Sequence, residues 1–188
     1  MRVFGIDPGS ERTGYGCVET EDGRHQMILS GAISSVATDA FPHRLAHIHA
    51  ELTRLLAECH PDSVVIENIF HGSNARSALK LGHARGVAML AAVQAGCQVA
   101  EYTPAEVKRA VVGYGRAEKS QVQQMVKLLL GLDYLPTPHD VADALAVAIC
   151  HINAQPASAA RSALLSARTS QTRPVARSWR QYRPRTEQ

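Results

Sequence analysis

The 188-residue chain lacks any apolar stretch long enough to cross a membrane, so no helical membrane span is expected. Met1 leads straight into a strand-like pattern rather than a signal peptide, which suits a cytoplasmic protein. Cysteine is sparse. Cys17, Cys59, Cys97 and Cys150 lie far apart with no C-x-x-C pair, which argues against a disulfide framework or a zinc site. They read as reduced thiols that fill core space. Internal repeats are absent, and so is a second phosphate-binding loop. The remaining composition, 45% hydrophobic, is that of a globular protein whose length suits one domain, residues 1–154, and a tail, 155–188.

Charge divides along the same boundary. The tail holds seven Arg and one Glu, a net +6, which leaves −3 on residues 1–154. Rich in Ala, Ser, Gln, Pro and Arg, it has little to bury and is expected to be disordered. Its arginines, Trp179 and Tyr182 suit contact with nucleic acid as well as they suit a solubilising extension. Residues 76–127 carry Arg76, Lys80, Arg85, Lys108, Arg109, Arg116, Lys119 and Lys127 against Glu101, Glu106 and Glu118. That is either a phosphate footprint or a solvated face.

Alternation and turn residues predict three consecutive strands, Val3–Asp7, Thr13–Glu19 and Gln26–Ile33, with Pro8-Gly9 and Asp22-Gly23 at the turns. Phe41, Leu45, Ile48, Leu52, Leu55 and Leu56 recur at helical spacing through about residue 58. A fourth strand, 63–67, leads through a polar loop to a helix over roughly 75–95, then a fifth strand, Gln98–Tyr102. Three further helices announce their starts with Thr103-Pro-Ala-Glu106, Ser120-Gln-Val-Gln123 and Thr137-Pro-His-Asp140, the last running to about Ile152. Three strands followed by helix–strand–helix–strand–helix describe an α/β fold, a mixed five-stranded sheet flanked by helices.

The chemistry lies in four acids. Asp7 and Glu67 each end an apolar strand, where an unpartnered carboxylate is expensive. Asp140 and Asp143 sit three apart on a helix whose following residues are apolar, so both can face one place. Asp140 alone reads equally well as a capping acid. Two like charges ~4 Å apart repel by about 4 kcal/mol at an effective dielectric of 20, so four gathered carboxylates require cations. Oxygen ligands favour hard ions such as Mg²⁺, and a pair of such ions suits phosphoryl transfer. His43 and His47 have i, i+4 spacing but no third ligand near in sequence, and read as a solvated face; nothing requires His139 at the site. An Asp-x-Gly turn between strands also opens actin-like ATPases and sugar kinases, but those need two such domains, and this chain is too short for both.

Taken together, Asp7-Pro-Gly-Ser-Glu-Arg-Thr-Gly-Tyr-Gly16, Val65-Ile-Glu67 followed by Phe70, Thr103-Pro-Ala-Glu-Val-Lys108 and Asp140-Val-Ala-Asp-Ala-Leu-Ala146 resemble the RuvC family of Holliday-junction resolvases, in order and spacing over about residues 1–154. The resemblance implies an RNase H-like fold, a homodimer, and Mg²⁺-dependent nicking of two opposed strands at a four-way DNA junction in recombination and repair. It implies two Mg²⁺ per site, with Mn²⁺ able to substitute, and partnership with the RuvA–RuvB branch-migration complex. Carried over by position, Asp7, Glu67, Asp140 and Asp143 are the catalytic, metal-binding carboxylates. Phe70 matches a family aromatic at the crossover, and Lys108 and Lys119 match lysines near the DNA backbone. Arg76, Lys80 and Arg116 join them as expected DNA contacts from the basic stretch. The rival readings are a less selective RNase H-like nuclease acting on RNA or branched DNA, and a non-catalytic junction-binding scaffold. The homodimer would meet through helix 75–95, whose small residues permit close approach, although packing on its own sheet also explains many of them.

Overall fold

The computed structural model describes residues 1–35, 38–68 and 75–169, with side chains through Gln155. The chain divides into Met1–Ala154 and Gln155–Gln188. Its elements run β1 (Arg2–Asp7), β2 (Arg12–Glu21), β3 (Arg24–Ser34), α1 (Phe41–Cys59), β4 (Ser63–Glu67), α2 (Ala75–Gln94), β5 (Gln98–Tyr102), α3 (Pro104–Val112), α4 (Lys119–Leu129) and α5 (His139–Thr169). The strands form one sheet in the order β3-β2-β1-β4-β5. β1 pairs antiparallel with β2 and parallel with β4, which makes it the central strand. Asp22 and Gly23 both take positive φ between β2 and β3, as a two-residue hairpin turn requires.

The strand period of two sorts the core into two layers. Phe4, Ile6, Val64 and Ile66 face α1 and α2, meeting Ile48, Leu52, Leu56, Ala84, Ala88 and Ala91. Val3, Val18 and Val65 face the other way, toward Val107, Val122, Val126, Leu145 and Ile149 of α3, α4 and α5. Fully burying side chains of this size is worth about 1.5–3 kcal/mol each. Cys17, Cys59 and Cys150 are buried and all four thiols are free, in keeping with a packing role.

The first three strands run one or two residues beyond the expected bounds, and among the helices two starts and one end differ from the sequence expectation. The capping box of α4 is Glu118 with Gln121, two residues ahead of Ser120-Gln-Val-Gln123, because the chain leaves the extended conformation at Glu118. α5 begins at His139, with Asp140 in its first turn, and extends to Thr169, past the expected end near residue 152. The Ala-, Leu- and Arg-rich sequence beyond Pro156 has high helix propensity, which favours that extension. Residues 170–188 of the tail lie outside the described residues. The Thr103–Glu106 capping box is present as expected.

Candidate active site

The strand period that builds the core also aims the acids. Val3 and Gly5 of β1 and Val65 of β4 face the α5 layer, so Asp7 and Glu67, even steps further on, emerge on that same side. β1 and β4 are parallel and adjacent, with Ile6 opposite Ile66, so both acids leave the sheet at one edge. α5 is brought to that edge by missing side chains. A Cβ on Gly5 would strike the carbonyl of Ala144, and one on Gly14 the carbonyl of Asp140. Gly14 is the register partner of Asp7, which sets the first turn of α5 beside the end of β1. The helix is otherwise apolar and buried, with Val141, Ala142 and Ala144 through Cys150 all in the core.

The four carboxylates fall into two kinds. Asp7 and Glu67 are the inner pair, half-buried and within hydrogen-bonding reach of each other. Burial pushes Asp7 up from 3.8 to about 8, with help from the negative charges of Glu67, Asp143 and Asp140 and against the pull of Lys119. Burial likewise pushes Glu67 up from 4.5 to about 7, Asp143 adding to it and Lys119, Asp7 and Lys108 opposing it. Asp140 and Asp143 are the outer pair, and each holds a cation. The Lys119 ammonium donates to Asp143 Oδ2 at 3.0 Å, and Arg12 Nη1 stands 3.7 Å from Asp140 Oδ2. Burial works hardest against the charge on Lys119, but the hydrogen bond to Asp143 and the negative charges of Asp143, Asp7 and Asp140 together outweigh it and raise the ammonium pKa. With the outer acids turned to these cations, no three His, Cys, Asp or Glu side chains among the described residues form a ready-made ligand set.

Local structure fixes the basic residues. Lys119 is the first residue of α4, whose start is held by Gln121 Oε1 accepting from Glu118 N at 2.9 Å and from the Tyr114 hydroxyl at 2.8 Å. Lys108 lies on α3, close enough to Glu67 to favour its ionised form. Of the other expected DNA contacts, Arg76 and Arg116 are exposed, on α2 and ahead of α4. Lys80 lies instead over the Phe41 ring, 5.8 Å from its centroid. Phe70 lies outside the described residues. His43, His47 and His139 are exposed. Arg12 is the site residue that sequence reasoning missed. Its signal was its place between Asp7 and Gly14, inside a loop valued only for its small residues.

Residues 3–151 match the family model for crossover junction endodeoxyribonuclease RuvC. The chain belongs to the RuvC family. RuvC of Koribacter versatilis is 55% identical over 154 residues, 81% of this chain and 93% of that one. RuvC of Trichlorobacter lovleyi is 50% identical over 184 residues, 98% of this chain and 100% of its own, so the resemblance extends into the tail. The structure of Thermus thermophilus RuvC gives a TM-score of 0.78 at 34% identity, covering 84% of this chain and 97% of that one. That of T. thermophilus RuvC in complex with Holliday junction substrate gives 0.75 at 32%, covering 81% and 94%. The α/β architecture is thus the RNase H-like fold of RuvC, with its mixed five-stranded sheet and helices on both faces. No helix among the described residues is long and apolar enough to cross a membrane.

Proposed function

We propose that this chain cuts two opposed strands of a four-way DNA junction by Mg²⁺-dependent hydrolysis, with Asp7, Glu67, Asp140 and Asp143 as catalytic carboxylates. The observation that carries the proposal is the pair Asp7 and Glu67, lifted to about 8 and about 7 chiefly by burial, with the negative charge of Asp143 adding to both, at a site where Asp140 also stands. A group of acids with so little compensation fits hard divalent ions, and its donors are all oxygen. Asp7 and Glu67 would hold such ions first, Asp140 and Asp143 completing the set after giving up Arg12 and Lys119. Two bound Mg²⁺ or Mn²⁺ ions supply activation of the attacking water and stabilisation of the departing 3′-oxygen. Lys119, freed from Asp143, then carries its charge toward a phosphate oxygen. Lys108, Arg76, Arg116 and Lys80 add positive charge along the DNA path.

Paired nicks at a two-fold symmetric junction call for two sites related by the same axis. α2 supports a homodimer. Its Ala84, Ala88, Ala91 and Ala92 are spent on the core, whereas Leu79, Leu90 and Val93 are 64%, 50% and 62% exposed. Between them Gly82 and Gly86 have open space where side chains would stand, and they line a shallow apolar cleft of about 520 Å³ with Leu79 and Leu90. A second copy of the helix fits such a face. Work in the cytoplasm with RuvA and RuvB rests on the family alone.

The test is a mobile four-way junction incubated with the purified chain, with and without Mg²⁺. The expected products are symmetric, ligatable nicks bearing 5′-phosphate and 3′-hydroxyl ends. Equal cutting of duplex DNA or RNA would favour the less selective nuclease. A junction bound but intact in Mg²⁺ would favour the scaffold.

A further inference from the structure

A second polar cleft, of about 530 Å³, opens on the flank of Asp140, lined by Gly9, Ser10, Glu11, Arg12, Ser34, Ser35, Arg44 and Asp140. Its walls are held from two sides. The β1–β2 loop is tied down by Thr13 Oγ1 donating to the Gly9 carbonyl at 2.9 Å and by Ser35 N–H donating to the Glu11 carbonyl at 3.0 Å. The opposite wall is the first turn of α1, where the Arg44 guanidinium lies 5.6 Å from the centre of the Phe41 ring. Phe41 thus helps to hold the Arg44 head, so less side-chain freedom is lost when the guanidinium binds.

Two polar atoms of this cleft, Arg44 Nε and Ser35 Oγ, are shielded from solvent and have no hydrogen-bond partner among the described residues. A buried donor without an acceptor costs about 1–3 kcal/mol, and an external acceptor recovers it. The charges say which kind. Glu11 and Asp140 face Arg12 and Arg44, but Asp140 already takes Arg12. Arg44 makes no ion pair among the described residues. An acceptor-rich anion with no donors of its own suits a guanidinium and a hydroxyl, and in a DNA-cutting enzyme that anion is a phosphodiester.

We propose that the cleft between the Gly9–Arg12 loop and the first turn of α1 binds a backbone phosphate of the strand being cut, next to but distinct from the scissile one, through Arg44 and Ser35. The proposal rests on the nuclease reading above. Arg44 acts there as a positioning residue: it sets the register of the strand over the carboxylates and touches no reacting atom.

The test titrates a four-way junction in chelator over a range of salt with the full chain, Arg44→Ala and Arg44→Lys. Losing one phosphate contact should weaken binding about 3–10-fold and flatten the log–log salt slope by about 0.9, and Arg44→Lys should restore the slope. A second arm needs no variant to fold. Junctions carrying one uncharged methylphosphonate at successive positions near the cut should reveal a position, other than the scissile one, where the parent chain loses the same increment. Parent-like affinity and slope for Arg44→Ala, or the absence of such a position, overturns the cleft. Failure of the parent chain itself to bind the junction overturns the nuclease reading and the cleft with it, so the two failures are told apart by which protein shows them.

Discussion

Replacing Asp7 by Asn should make the metal-free protein more stable and catalytically dead. The sign follows from the inner pair. Asp7 is pushed up from 3.8 to about 8, chiefly by burial, so between those values the folded chain holds a proton that the unfolded chain has released. Stability is then highest at acid pH and falls as pH rises toward 8, where the folded carboxyl finally ionises. Glu67, raised to about 7, adds in the same direction. At 1.36 kcal/mol per pH unit the interval for Asp7 sets a ceiling of about 6 kcal/mol. Sharing a proton with Glu67 and partial access to water reduce this to about 1–3 kcal/mol, or roughly 3–10 °C in melting midpoint for a domain of this size. The assay is thermal melting in chelator at pH 5 and pH 8 for the parent and Asp7→Asn. His151, lowered by its burial, works in the opposite sense, its contribution being lost as pH falls, but it is common to both proteins and cancels in the difference. The variant's margin over the parent should be small at pH 5 and larger at pH 8, while it binds junction and fails to cut it. A midpoint for Asp7→Asn below that of the parent at pH 8, or a difference between the two proteins that does not grow from pH 5 to 8, would refute the buried, charge-crowded setting on which the site is argued.

Three other substitutions report on neighbouring steps. Lys119→Ala removes the cation that holds Asp143 and should slow cutting by about 10²-fold at saturating junction, as loss of one charged group at a developing transition state does, with junction affinity changing far less. Gly14→Ala drives a methyl group into the carbonyl of Asp140 and should cost about 1–3 kcal/mol in denaturant unfolding, with a larger loss of activity because the acids shift with the helix. Gly86→Leu fills open space on the exposed face of α2 without meeting its own fold, so it should leave the melting midpoint nearly unchanged in dilute protein. By sedimentation it should nonetheless shift the protein toward monomer, and junction products should become single nicks.

The reasons why some features were legible in the sequence and others were not are physical. β4 and β5 have the expected bounds because the signals are local: β4 is a short apolar run closed by Glu67, and β5 lies between Gly96, which takes a positive φ, and the Thr103 cap of α3. The Thr103–Glu106 box was legible because both partners lie within one turn. The start of α4 was not, since Glu118 and Ser120 both have suitable residues three positions on, and the choice between them depends on Gln121 also meeting Tyr114. Asp7 and Glu67 were legible as acids that each end an apolar strand, but the adjacency of β1 and β4 that sends them out on one side is a tertiary fact. Arg12 and Arg44 were illegible for the same reason. They stand on opposite sides of the residues that bring them to one cleft, and no local pattern marks a cation by the carboxylate it meets in space.

The arrangement also explains why the carboxylates differ although all four are aspartate or glutamate at one edge. Each inner acid ends a strand, where the backbone holds it in a half-buried position, so lost hydration, with the nearby negative charge of Asp143, raises its proton affinity. Each outer acid stands on the first turns of a helix, where a side chain can rotate toward solvent and find Arg12 or Lys119. The sheet therefore supplies a fixed demand for positive charge and the helix an adjustable one. Asp7 and Glu67 would hold divalent ions first, and Asp140 and Asp143 would complete the set by exchanging partners that remain close by. Arg12 and Lys119, so displaced, would face the substrate with their charge uncompensated. In that order the assembly of the hydrolytic site would also ready the two groups that grip the phosphate backbone.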